Sequence, residues 1–202
     1  MRAQWLRREG ARELVVVVTG WALGAAPFRH LDGDRDILVL SDWRALAPLS
    51  LPAGYAAADL VAWSFGVGAA CRLPGPDPFR RRVAVCGSWL PCDDDLGIPR
   101  ARVAATAAGL TEASLRKFAR RAGAPLEGSA DLEALRAELA AVMAWDAVVP
   151  PRFDRILLGA SDRIFPLRNL LRAWNGRQDR TRILDCGHNP FAAMRDWDEV
   201  LA

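Results

Sequence analysis

At 202 residues, with 51% hydrophobic and 25% charged side chains, the chain is long enough for one well-buried core and too short for two typical domains. Its net charge of +3 is too small, and its basic clusters too poor in interleaved aromatics, to suggest nucleic acid, and no window reaches the roughly 18 continuous apolar residues of a membrane span. The opening Met1-Arg-Ala-Gln-Trp-Leu-Arg-Arg-Glu-Gly10 lacks a signal peptide's apolar centre, and Cys71, Cys86, Cys92 and Cys186 show no C-x-x-C spacing, so a cytoplasmic protein with free thiols is expected.

In chain order, Glu13-Leu-Val-Val-Val-Val18 is a continuous β-branched run, the pattern of a central strand covered on both faces. With a chain this short, the strands that precede such a run in larger folds of this kind are expected to be missing, so that Glu13 to Val18 opens the sheet. The turn Thr19-Gly20-Trp21-Ala22 follows, where a glycine lets the backbone bend and present amide groups. Asp36-Ile-Leu-Val-Leu40 reads as a second strand, and Asp42 to Leu49 as one or two helical turns ended by Pro52 and Gly54.

A third strand, Leu60 to Trp63, leads into Ser64 and the small-residue run Phe65-Gly-Val-Gly-Ala-Ala-Cys71. This is the pattern of a nucleophile elbow. The serine stands on a strained strand-to-helix turn, and the positions two before and two after it, Ala62 and Gly66, must be small because the backbone crosses itself there. Ala62 stands where the usual pattern has glycine. A fourth strand, Arg82 to Gly87, comes after the proline-rich Leu73-Pro-Gly-Pro-Asp-Pro78.

Beyond it, three helical patterns at about 100–109, 112–122 and 131–146, the last with a start at Ser129 and Glu133, interrupt the strand-helix rhythm. Residues 92–150 therefore read as a helical lid inserted into an α/β core formed by 1–91 and 151–202. The rhythm resumes with Arg155 to Gly159, followed at once by Ser161 and Asp162, and with Thr181 to Asp185, followed by Gly187 and His188 and a closing amphipathic helix to Ala202. Strands alternating with helical or loop segments imply a parallel sheet with crossovers on both faces, and with the elbow at Ser64 an α/β-hydrolase fold is expected. In it Ser64, Asp162 and His188 stand in the order nucleophile, acid, base, each just past a strand. His30, the other histidine, follows no strand.

The blocks Leu60-Val-Ala-Trp-Ser-Phe-Gly-Val67, Leu90-Pro-Cys-Asp-Asp-Asp-Leu-Gly-Ile-Pro99, Ser161-Asp-Arg-Ile-Phe165 and Gly187-His188, with the early Gly20-Trp21, resemble the BioG-type pimeloyl-[acyl-carrier protein] methyl ester esterases of biotin synthesis. The resemblance extends over nearly the whole chain, and the Leu-Pro-Cys-Asp-Asp block with Gly-Ile-Pro is its most discriminating part. It departs from the family at Phe65, where a methionine is usual, and at Asn189-Pro190, where the family continues with more apolar residues. The resemblance implies a serine esterase that uses Ser64, His188 and Asp162, holds the oxyanion on the amides of Trp21 and Phe65, and needs no metal or organic cofactor.

An acidic acyl carrier protein is the implied partner. Arg116, Lys117, Arg120 and Arg121 cluster on one predicted helix and could steer it, although a plain solvated face is an equally good reading of that cluster. Trp21, Trp63, Trp89 and Trp145 are candidates to line an acyl tunnel, with core packing as the competing reading. Asp93, Asp94 and Asp95 are read as a hinge or helix cap, since consecutive carboxylates cannot all face one ion. A monomer is expected. A thioesterase or small-ester esterase, or a carrier-binding protein without catalysis, are the alternatives.

Overall fold

Residues 14–18 form a strand without a single exposed side chain, and everything else is layered on it. The computed structural model describes all 202 residues. Seven strands, β1 (Arg2–Arg7), β2 (Glu13–Val18), β3 (Asp36–Ser41), β4 (Ala57–Trp63), β5 (Arg81–Val85), β6 (Arg155–Gly159) and β7 (Thr181–Leu184), make one sheet in the order β1-β3-β2-β4-β5-β6-β7. Every pair is parallel except β1 with β3.

The chain moves outward from β2 to β3 and then returns to the other side of β2 for β4, so the strand order reverses between β2 and β4. Open α/β sheets bind ligands in the crevice at the carboxyl ends of such a switch point.

Helices α1 (Phe65–Ala70), α5 (Leu167–Ala173) and α6 (Trp197–Leu201) follow β4, β6 and β7. Three more, α2 (Arg100–Ala108), α3 (Glu112–Ala122) and α4 (Leu132–Met143), lie between β5 and β6. Their ends follow from local chemistry. Arg100 N donates to the Asp94 carboxylate at 2.8 Å, Thr111 and Ser114 form a capping box, and Gly123 closes α3 at φ 72°. The acidic triplet is thus divided: Asp94 caps α2, Asp93 accepts the amides of Asp95 and Leu96, and Asp95 pairs with Arg172.

Four sequence expectations need correction. The sheet opens on β1, not on Glu13 to Val18. Its residues Arg-Ala-Gln-Trp-Leu-Arg are half polar because an edge strand faces solvent, so no apolar run marks it. Residues 42–49 form no helix, because Asp42 takes φ 68° and binds the Arg44 guanidinium with both carboxylate oxygens, turning the chain instead. The cap of α4 is Asp131, which accepts from Glu133 N and Ala134 N, and not Ser129. The closing segment is helical only over Trp197–Leu201, after a 3-10 turn at Pro190–Ala193.

Buried acids are answered locally. Asp36 is fully buried, and although burial alone would raise its carboxyl, amide donors such as Glu9 N at 2.7 Å and the Tyr55 hydroxyl at 2.7 Å hold it below the ordinary range. Asp59 is paired with Arg80 at 2.6 Å, which also reaches Glu13. Glu138 of α4 is the exception. Burial first, then the nearby Asp42 carboxylate, push it up to about 7, and the Trp43 amide, Arg44 and the N-terminal ammonium offset only part of this.

A carboxyl whose folded pKa lies above its ordinary 4.5 costs stability as pH rises from there to about 7, after which the cost is constant. Glu138→Gln is therefore expected to leave the melting temperature unchanged near pH 4.5 and to raise it at pH 8. The gain corresponds to roughly 3 kcal/mol at most, or about 6–12 °C for a chain of this size. Thermal unfolding of both proteins across that range checks it, and an equal shift at both ends would contradict the assignment.

Candidate active site

Ser64 follows β4 at φ 60°, ψ −127°, a conformation that costs a non-glycine residue of order 1–3 kcal/mol. Its surroundings impose that conformation. Ser64 N donates to Val85 O at 2.9 Å, and α1 begins at the next residue. A Cβ on Gly66 would lie 2.0 Å from Val18 O and 2.5 Å from Thr19 O, and one on Gly87 would lie 2.3 Å from Ser64 O. A Cβ on Gly20 would meet Ser64 Cβ at 3.0 Å. Ala62 sits in the sheet opposite Val18 and is fully buried, so alanine fits where the usual pattern has glycine.

The loops after β6 and β7 bring the other two groups to this serine. His188 Nε2 lies 2.9 Å from Ser64 Oγ, and His188 Nδ1 lies 2.8 Å from Asp162 Oδ2. Asp162 Oδ1 accepts from Ile164 N at 2.7 Å and Phe165 N at 3.0 Å, which fixes the carboxylate. The imidazole stacks on Phe165, centroids 5.9 Å apart and planes 12° apart, with Trp63 on its neighbouring side at 5.3 Å. Trp63 Nε1 also donates to His188 O at 2.8 Å. Behind them a Cβ on Gly159 would lie 2.1 Å from Gly187 O, so the two loops touch backbone to backbone. The side chains of His188 and Asp162 are 1% and 0% exposed, which shields the hydrogen bond between them from bulk solvent.

Cys86 lies beside the same pair, its sulfur within 4.8 Å of their polar atoms. Burial, then the adjacent Asp162 carboxylate, push this thiol well above its ordinary range. All four cysteines are free.

A cavity of about 70 Å³ adjoins the serine loop. Trp21 and Phe65 form its core side; Ile98, Val103, Phe118, Leu139 and Ile164 complete the apolar wall, and Arg102, Thr106, Arg121 and Arg163 add polar groups. The backbone amides of Trp21 and Phe65 donate to no protein acceptor. The Leu90 to Pro99 block has a physical role here. Pro91 packs on Gly68 of α1, where a Cβ would lie 2.6 Å from the proline ring, and Asn169 Nδ2 holds Asp94 O and Gly97 O at 2.8 and 2.9 Å. The fold of that loop delivers Ile98 to the cavity wall.

Of the four tryptophans read as tunnel candidates, the cavity is lined by Trp21 alone. Trp63 lies beneath His188, Trp89 donates to Ala173 O, and Trp145 takes the Arg72 guanidinium over its ring at 4.9 Å. An indole N–H buried in protein seeks an acceptor, and those of Trp63 and Trp89 found theirs in the scaffold. Arg116, Lys117, Arg120 and Arg121 are all exposed on α3; Arg116 pairs with Glu112, and Arg121 also lines the cavity. Sequence reasoning missed Arg102, Val103, Thr106, Phe118, Leu139, Arg163 and Ile98. The spacings Val103 to Thr106 and Phe118 to Arg121, three apart on one helix face, are the signal that could have found some of them.

The fold and this arrangement of groups define an α/β-hydrolase. Comparison with solved structures agrees: the carboxylesterase CesB of Bacillus subtilis superposes with a TM-score of 0.53 at 13% identity, over 98% of this chain and 84% of that one. The BioG structure from Haemophilus influenzae superposes with a TM-score of 0.86 at 25% identity over 100% of both chains. Residues 1–200 match the family model for pimeloyl-ACP methyl esterase BioG, and the chain belongs to that family. A Bacteroides fragilis protein named malonyl-[acyl-carrier protein] O-methyltransferase is 32% identical over 193 residues. That match takes in 88% of this chain and 39% of the relative, so the chain spans well under half of that protein's length. No helix is long and apolar enough to cross a membrane.

Because the serine loop is set by backbone contacts, Gly66→Ala is expected to cost at least about 1–3 kcal/mol in urea unfolding. Ser64→Gly, which removes the strained side chain, is expected to gain about 1 kcal/mol. If both substitutions left the midpoint unchanged, the strain argument would be wrong.

Proposed function

We propose that this protein hydrolyses the methyl ester of a pimeloyl chain borne on acyl carrier protein, with Ser64 as nucleophile, His188 as general base and then acid, and Asp162 as its orienting carboxylate. The observation that carries the reading is the unbroken hydrogen-bonded line from Ser64 Oγ through His188 to Asp162, at 2.9 and 2.8 Å, beside two uncommitted amides.

Ser64 Oγ attacks the ester carbonyl as its proton passes to His188 Nε2. The amides of Trp21 and Phe65 receive the negative charge of the tetrahedral intermediate, each donor being worth roughly 3 kcal/mol of barrier. The imidazolium returns the proton to the departing methoxide, and methanol leaves. Water, deprotonated by the same histidine, then attacks the acyl-enzyme and releases the free acid. Asp162 keeps the Nδ1 proton in place and stabilises the imidazolium. Helices α2 to α4 act as a lid whose inner face gives the apolar wall, and the exposed Arg116, Lys117, Arg120 and Arg121 of α3 meet the acidic carrier.

The methyltransferase name belongs to a relative more than twice the matched length, and transfer of a methyl group to a carboxylate has no use for a serine joined to a histidine. The hydrolytic reading is preferred for that reason.

Methanol release from carrier-borne methyl pimeloyl thioester tests it. Ser64→Ala is expected to lower kcat roughly 10⁴-fold or more, and Asp162→Asn roughly 10³- to 10⁴-fold. A fluorophosphonate should label the native chain and not Ser64→Ala. Preferential release of the thiol over methanol would mark a thioesterase, and no labelling of the native chain would mark a binder. Charge reversal at Arg116, Lys117 and Arg120 is expected to raise KM for the carrier-borne ester about tenfold at low salt, more than for the same ester on a free thiol.

A further inference from the structure

The apolar cavity lined by Phe65, the residue after Ser64, carries a charge pattern that the neutral ester end of the substrate does not call for, and Arg102 and Arg163 of that pattern lie outside the α3 cluster assigned to the carrier. Arg102 of α2, Arg121 of α3 and Arg163 of the loop after β6 come from three separate elements and line the same cavity, and no acidic residue lines it. None of the three takes part in an ion pair or donates a side-chain hydrogen bond, whereas Arg29, Arg35, Arg44 and Arg80 all bind carboxylates elsewhere in the chain. All three are exposed, so their charged ends stand at the rim while Trp21 and Phe65 form the inner wall.

Three uncompensated guanidiniums over an apolar pocket raise the local potential for anions, and each can grip a carboxylate with two parallel N–H donors. The carrier-borne thioester presents only neutral thioester and amide oxygens at that depth. A guanidinium binds these less strongly than a carboxylate.

From this geometry we infer that the site takes a second substrate class, free half-esters of short dicarboxylic acids, with the ester at Ser64 and the far carboxylate on Arg102, Arg121 and Arg163. One half-ester and one water give the dicarboxylate, methanol and a proton, by the same acyl-enzyme route. The inference rests on the esterase reading of Ser64. It also makes the dicarboxylate product a competitive inhibitor, since its carboxylate meets the same rim.

The test compares kcat/KM for monomethyl and dimethyl esters of glutaric to suberic acid, by methanol release from the full chain, with Ser64→Ala as blank. The half-esters are expected to be preferred about tenfold per ester group at low ionic strength, with the preference falling towards unity as salt screens the rim. The same loss of preference is expected in R102Q/R121Q/R163Q, together with weaker inhibition by the dicarboxylate. Should the triple variant unfold, R163Q on its loop and the salt series of the unaltered chain give the same reading.

Ser64-dependent cleavage of diesters with no preference for half-esters would overturn this inference and leave the esterase standing. So would a preference insensitive to both salt and arginine removal. If no ester of either kind were cleaved, the esterase reading would fall with it.

Discussion

The structure depends on how closely the backbone of α1 passes the ends of its neighbouring strands. Gly66 lies so near the carbonyls of Val18 and Thr19 that no side chain has room, and Gly87 and Gly20 close on Ser64 from two other directions. With those three distances fixed, Ser64 has no relaxed conformation to adopt, and its hydroxyl is forced out at the switch point between β2 and β4. The strain is stored by packing that the core supplies in any case, because β2 and β4 are buried on both faces. The reactive geometry is thus a consequence of sheet topology and glycine placement rather than of the serine itself.

The histidine is held in a comparable way. Its ring is enclosed by Phe165 and Trp63, its carbonyl is taken by the Trp63 indole, and its loop rests on Gly159. Three independent restraints leave the imidazole little choice of rotamer. A hydrogen bond between groups already fixed loses less entropy on forming than one that must first gather its partners. Asp162 completes this by spending one oxygen on two amides of its own turn and the other on the ring.

Much of this was legible in the chain because the signals were of the strongest kinds. Continuous apolar runs mark parallel strands buried on both faces, so β2 to β6 could be read directly, and Ser64, Asp162 and His188 each follow a strand in an order that chance seldom provides. What could not be read was decided by partners distant in sequence. β1 is recognisable only beside β3, and the turn at Asp42 is set by a carboxylate that prefers the Arg44 guanidinium to a helix. The tryptophans could not be sorted between pocket wall and core for a related reason. Apolar bulk suggests a pocket wall, but Trp63 and Trp89 are placed by their N–H donors, whose acceptors lie 125 and 84 residues away. The cavity itself is an inter-helix space, and its lining is a property of how α2, α3 and α4 pack over Trp21.

The inserted helices are joined to the reactive loops through few but direct ties. Trp21 Nε1 donates to Leu135 O of α4 at 3.0 Å, so the loop that offers the Trp21 amide is fastened to that helix. Phe118 of α3 meets the same indole edge-on at 4.9 Å. Asn189, next to His188, donates to Gly123 O at the end of α3 at 2.9 Å, and Arg72 grips the far end of α4 through Asp146 O. The loops bearing Trp21 and His188 are thus each tied directly to α3 or α4. A partner that binds the basic face of α3 acts on a helix already hydrogen-bonded to the histidine loop. The route from that face to His188 is short and needs no rearrangement of the sheet. Asn189-Pro190 makes that tie: the amide side chain reaches Gly123 O at the end of α3, and the proline starts the 3-10 turn that follows.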